Sequence, residues 1–376
     1  MQDEKITISR FQLLCLGFIS LLSPIIRLLP QHAVELSGSA AWFSALLTLV
    51  PVGLLFLVLN KFFKNARPNE GYAELFIRVL GKGFGKAVII IYSLWLMFYT
   101  AFGLCSSADR YVTAAYQHTS AAIFIIIMLL LALIPTLGRF KILCRTTESF
   151  FPLLVLVLLL VFGFAFQDVD LNFLPPPTVK ELPKILSSIP TIANILSLAV
   201  YVGFLEGRIR EKEKRMKTIF TWLLLMVITV ILLCVTTVGS LGADITSKLC
   251  YPFFVMIRNI SVFNFIERLE SIVLALWVIT DFAFISVLLF IVDNNLRIVF
   301  SYPATSAEGA KFLDFKNGRY LIWINAAIVL VIALLLSPNS FFIATLSKKI
   351  VPIINLIFTF GLLPLIVIIG MIRKRI

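Results

Sequence analysis

The chain of 376 residues is 60% hydrophobic and only 14% charged, and its mean hydropathy of +1.01 excludes a soluble globular core. Its net charge of +13 does not point to nucleic acid, because the basic residues cluster between apolar runs, as cytoplasmic loops of a membrane protein require. The scattered cysteines Cys15, Cys105, Cys144, Cys234 and Cys250 show no Cys-x-x-Cys and no histidines at ligand spacing, so no metal site, cofactor or disulfide framework is indicated.

Helices satisfy their backbone groups internally in lipid, so the apolar runs predict an all-α polytopic membrane protein. Ten spans are expected, at 11–30, 41–61, 84–106, 121–138, 149–167, 187–206, 218–240, 266–294, 319–337 and 343–371. With both termini cytoplasmic, Lys and Arg outnumber those on the outer side by about three to one.

The first span carries Ser23-Pro24-Ile25-Ile26-Arg27-Leu28-Leu29-Pro30. Proline removes an amide donor and clashes with the preceding turn, which predicts kinked or unwound backbone near Ser23. Unwound backbone at membrane depth lines a cavity, making Ser23, Ile25 and Arg27 candidate ligand-binding residues. Two readings stand for Arg27: snorkelling to the outer headgroups, or a ligand or gating role. Downstream, the polar loop 61–86 predicts a short interfacial helix over Tyr72–Leu80. In span three Tyr92 and Tyr99, seven residues apart, share a face with Trp95 nearby; this face either packs or lines a pocket, with Tyr99 the pocket candidate.

Span five leads into an outer loop stiffened by Pro175-Pro176-Pro177. Span six opens at Ser187-Ser188-Ile189-Pro190, and its Asn194, Ser197 and Tyr201 fall within about 60° of one another on a helix. It is the counterpart of the irregular first span five helices earlier. Many transporters are inverted repeats of five helices whose first helices are broken, so one permease-like domain is expected, with repeats over 8–167 and 185–337 and a final helix over 343–371. Near the end of span six Glu206 either pairs with Arg208 or Arg210 or relays protons. The partly apolar connection 241–265 predicts an outer surface or re-entrant helix able to act as a lid.

Span eight sets Arg268 and Glu270 at one end of an apolar run and Asp281 near its middle, roughly 21 Å from Glu267 along the axis. An acid at that depth costs on the order of 2.5 to 3.5 kcal/mol unless it faces a protein interior, a polar partner or water. Glu270 and Asp281 are about 20° apart around the axis and Trp277 about 40° from Asp281, so one face carries the polar groups. In the last span Asn355 faces the same cavity. His32 and His118 are interfacial residues without a carboxylate cluster, and no nucleophile, metal or phosphate motif supports an enzyme.

Phe265-Ile266-Glu267-Arg268-Leu269-Glu270 followed by Trp277 and Phe282, Leu29-Pro30 followed by Ala41-Trp42, and Gly203-Phe204-Leu205-Glu206 resemble the spore germination receptor B-subunit family, amino acid permease-like proteins of the amino acid, polyamine and organocation superfamily. The resemblance covers nearly the whole chain. It implies a five-plus-five inverted-repeat (LeuT-like) bundle with interrupted helices 1 and 6 in the endospore inner membrane. It also implies partners: an A-subunit, a C-subunit lipoprotein, and a small nutrient (an amino acid, a sugar or a nucleoside) bound by spans one, three, six, eight and ten. Coupling or gating falls to Glu206, Arg268, Glu270 and Asp281. Where relatives carry a glycine-rich break, this chain has Ser23-Pro24-Ile25-Ile26-Arg27, which offers an arginine to a ligand carboxylate. The alternative is a proton-coupled amino acid transporter using Asp281 or Glu206.

Overall fold

The computed structural model describes residues 8–64, 66–67, 70–114, 116–138, 140–209, 215–259, 269–301 and 319–375. The chain is an all-α polytopic membrane protein. Helix α1 (Arg10–Ser37) starts at a reciprocal cap, in which Ser9 Oγ accepts from Gln12 N at 3.1 Å and Ser9 N donates to Gln12 Oε1 at 3.1 Å. It ends at Gly38, whose φ of 59° suits a residue without a side chain. The chain then turns back as α2 (Ala41–Leu47) and α3 (Leu49–Lys64), one span in effect, because Thr48 N donates to Ser44 O and Val52 N to Thr48 O.

The next elements are α4 (Tyr72–Leu80), α5 (Lys82–Ala114), α6 (Ala121–Leu137), α7 (Phe140–Ala165), α8 (Leu182–Leu196), α9 (Arg215–Leu241), α10 (Ala243–Lys248) and α11 (Pro252–Asn259). They are followed by α12 (Leu269–Ser301), α13 (Arg319–Leu336), α14 (Ser340–Thr345), α15 (Val351–Leu356) and α16 (Leu363–Ile372). Among the described residues, seven helical stretches are long and apolar enough to cross a membrane. Arg10–Lys64 counts twice once divided at Gly38, and with the shorter apolar helices Ala121–Leu137 and Tyr320–Leu336 the expected ten spans are all helical. A helix, α4, covers the residues expected of the interfacial helix, and the described part of the connection 241–265 holds α10 and α11.

The expectation of unwound backbone near Ser23 is corrected: α1 stays helical through Pro24 and Pro30. It is packed by α7, α8, α9 and α12, so unwinding would leave more backbone donors in an apolar core than the two prolines remove. The irregular backbone lies instead in spans six and ten. At Ser197 α8 passes into a 3₁₀ segment, Ser197–Arg208. In span ten, π turns at Leu346–Ile350 and Ile357–Leu362 each end one residue before the Val351-Pro352 or Leu363-Pro364 pair begins the next α-helix. The wider turn relieves the clash between a proline ring and the turn before it.

The amphipathic α4 docks on the 3₁₀ segment through close glycine contacts. A Cβ on Gly203 would lie 2.2 Å from the Tyr72 ring, and one on Gly71 would lie 2.4 Å from Phe204 O. Overpacking of this kind costs about 1–3 kcal/mol. Gly203→Ala is therefore expected to lower the melting temperature in detergent, whereas Gly83→Ala, with nothing within 4 Å of the added carbon, should not. Equal melting of both variants would contradict this docking.

Candidate functional site

Helix α12 carries Asp281 into the middle of the bundle with no exposed surface. A buried carboxylate needs donors, and α1 and α5 supply them. Ser23 Oγ and Arg110 Nη2 donate to it in short contacts, Ser107 Oγ donates at 2.9 Å, and Tyr111 OH at 3.1 Å. The Arg110 guanidinium lies between two rings, 5.0 Å from the Tyr111 centroid and 4.8 Å from that of Trp277. Arg27 does not snorkel. It is 3% exposed, and its Nη1 donates to Gly103 O at 3.4 Å and Ser107 Oγ at 3.2 Å.

The cluster thus holds two guanidinium groups against one carboxylate. Arg27 Nε, Arg110 Nε and Arg110 Nη1 are buried with no hydrogen-bond partner among the described residues. Each is a donor in a low-dielectric interior where an unmet charge is costly. The cluster therefore carries more buried donors than its one carboxylate and the neighbouring oxygens accept. Beside it Ile25 is fully buried, and Tyr99 packs edge-on to Phe284 at 5.9 Å.

A second polar network joins spans six and ten. Trp95 Nε1 donates to Tyr201 OH at 3.1 Å, and Tyr201 OH donates to Asn355 Oδ1 at 2.6 Å. Asn355 Nδ2 donates to Asn194 O and Asn194 Oδ1, both at 2.8 Å. Ser197 Oγ donates to Asn194 O at 2.8 Å and accepts from Thr359 Oγ1 at 3.1 Å. The candidates Asn194, Ser197, Tyr201 and Asn355 therefore come together as expected, at the point where the α-helix gives way to the 3₁₀ segment, and they bond to one another.

The expected coupling residues separate. Glu206, 8% exposed, accepts from Arg10 Nη2 and Arg215 Nε, each at 2.6 Å; of the neighbours expected to pair with it, Arg210 and the side chain of Arg208 lie outside what is described. Glu270 accepts from Arg258 Nε at 2.8 Å and so ties α12 to α11, while Arg258 Nη2 donates to Ala114 O at 2.7 Å. Trp277 packs on Phe253 and Phe254 of α11, at 6.1 and 5.9 Å. Tyr251, between α10 and α11, donates to Asp109 Oδ2 at 2.6 Å; burial pushes its phenol well above the ordinary range, so it stays a neutral donor. Arg268 lies outside the described residues. Among those described, no group of three His, Cys, Asp or Glu forms a metal site.

Sequence reasoning missed Arg110 and Tyr111, which it assigned to an outer loop after a span ending at 106. Helix α5 runs on to Ala114 and buries Arg110 completely. Hydropathy fades there because the residues are polar, yet Tyr99 and Arg110 are eleven residues apart and so share a helix face.

If Arg110 and Asp281 neutralise each other, breaking one side is worse than removing both. Asp281→Asn is expected to destabilise the chain by about 3–5 kcal/mol, and Asp281→Asn with Arg110→Gln by less, read as melting temperatures in detergent. Additive losses would contradict the pairing.

The family model described as "Spore germination protein" matches residues 7–342. The chain is 23% identical to spore germination protein A2 of Bacillus subtilis (strain 168), over 66% of this chain and 68% of that protein. It is also 23% identical to spore germination protein KB of the same strain, over 76% of this chain and 77% of that one. Buried charge on three spanning helices and a family match over most of the length lead to one conclusion: the chain belongs to the spore germination permease family.

Proposed function

We propose that the chain is the nutrient-binding membrane subunit of an endospore germinant receptor, with the ligand carboxylate held by Arg27. The observation that carries this reading is the surplus buried guanidinium: Arg27 and Arg110 face a single carboxylate, and three of their nitrogens lack acceptors among the described residues. A small amino acid brings the missing anion. Its binding energy is large there because the arginines are already desolvated. Sugars and nucleosides lack that anion and fit less well.

The residues of the second network, Asn194, Ser197, Tyr201 and Asn355, line the same central region and carry ligand occupancy into the 3₁₀ segment. Occupancy then favours one arrangement of the bundle through differential affinity. The five-plus-five repeat pairs span six, where the backbone is irregular, with span one, which stays helical through both prolines. The bundle sits in the spore inner membrane with both termini cytoplasmic, beside an A-subunit and a C-subunit lipoprotein. A proton-coupled carrier fits less well, since a shuttling acid needs a free oxygen and both oxygens of Asp281 are occupied.

The test is the nutrient dose response of spores carrying Arg27→Gln, with equal protein in the membrane. Loss of a hydrogen bond to a charged group, about 1.5–3 kcal/mol, raises the required concentration at least about tenfold. An unchanged dose response would remove Arg27 from the site. Solute accumulation abolished by Asp281→Asn would favour the carrier.

A further inference from the structure

A cavity of about 80 Å³ lies away from the Asp281 cluster, beside the Glu206 ion pairs. Helices α1, α3 and α9 each face it with residues at i, i+3, i+4 and i+7. The stripes run from Arg10 to Gly17, Phe56 to Phe63, and Arg215 to Trp222. Seven residues of helix rise about 10.5 Å, so the residues lining the cavity are spread over roughly that distance along each helix. The cavity's two ends differ. The mouth holds Arg10, Arg215, Glu206 and the Phe63 end of α3; the deep end holds Gly17, Phe56 and Trp222.

Both ends offer donors. At the mouth Arg215 gives Nε to Glu206 at 2.6 Å and Nη1 to Asn60 Oδ1 at 3.3 Å, while its Nη2 has no acceptor among the described residues. At the deep end Trp222 is 4% exposed and its Nε1 is buried without a partner among them. The space beneath that nitrogen exists because position 17 is glycine; a Cβ there would lie 3.2 Å from Nε1. Between the ends the walls are mostly aliphatic and aromatic.

This pattern selects a ligand class. A cation would meet Glu206, whose oxygens already accept from two arginines, and a wholly apolar molecule would leave the Trp222 N–H and the Arg215 donor unmet. A slim molecule with an acceptor at each end satisfies both. We propose that this cavity is a second ligand site, taking a small organic carboxylate whose anion meets Arg215 and whose far end carries an acceptor for Trp222 Nε1. Entry from the cytoplasm rests on the orientation proposed above; the site itself does not.

The probe is radiolabelled 4-hydroxyphenylacetate, which carries a carboxylate and a distal oxygen across one ring. Equilibrium dialysis against the full chain in phosphatidylcholine nanodiscs should give saturable binding. It should weaken at least about tenfold in Gly17→Ala and in Arg215→Gln. It should also weaken several-fold in Trp222→Phe, which keeps the ring and deletes the donor. The uncharged 4-hydroxyphenylacetamide should bind at least about tenfold more weakly. Melting curves for each variant establish that it is folded, and Trp222→Phe serves if either of the others is not. Absence of saturable binding, equal binding of acid and amide, or binding indifferent to all three substitutions would overturn the proposal.

Discussion

Everything in the middle of this bundle is arranged around the need to keep one carboxylate, Asp281, out of contact with lipid. An acid at that depth is tolerated only with donors around it, and no single helix can provide them. Ser23 on α1, then Ser107, Arg110 and Tyr111 on α5, converge on α12 for this purpose. Three helices distant in sequence are thereby fixed in rotation about their axes, which apolar packing alone does not specify. The arrangement overshoots neutrality, because Arg27 adds a second guanidinium. That excess is the observation on which the proposed carboxylate recognition rests.

The polar groups elsewhere are arranged as fasteners at three levels. Toward one face Glu270 holds Arg258, and Asp109 accepts from Tyr251 and from Ser340 Oγ at 2.9 Å, so α11 and the turn before it are tied to α5, α12 and the start of the last span. At mid-depth Asn355 ties the break in span six to span ten. At the other face Glu206 joins the end of the 3₁₀ segment to α1 and α9. The 3₁₀ segment thus has a fastener at each end.

Much of this was legible in the chain. Hydropathy located the spans, the amphipathic period located Tyr72–Leu80, and helix geometry put Asp281 deep beside Trp277. The misses have physical causes. Two prolines in α1 argued for a break, but a helix packed on several sides retains its remaining hydrogen bonds more cheaply than it exposes them. Arg110 looked like a loop residue because hydropathy reports the solvent a residue prefers, and Arg110 is held by an acid 171 positions away. One partner of Glu206, Arg10, is 196 residues distant and became adjacent only through folding. Pairings of this kind leave no periodic trace in one sequence.

The central claim is that the buried arginines recognise a carboxylate. The most direct measurement is calorimetric binding of the common amino acids and their corresponding amides to the purified full chain in nanodiscs. The account predicts that at least one acid binds at least about tenfold more tightly than its amide, and that Arg27→Gln erases the difference. Acid and amide binding alike to the wild-type chain would contradict it.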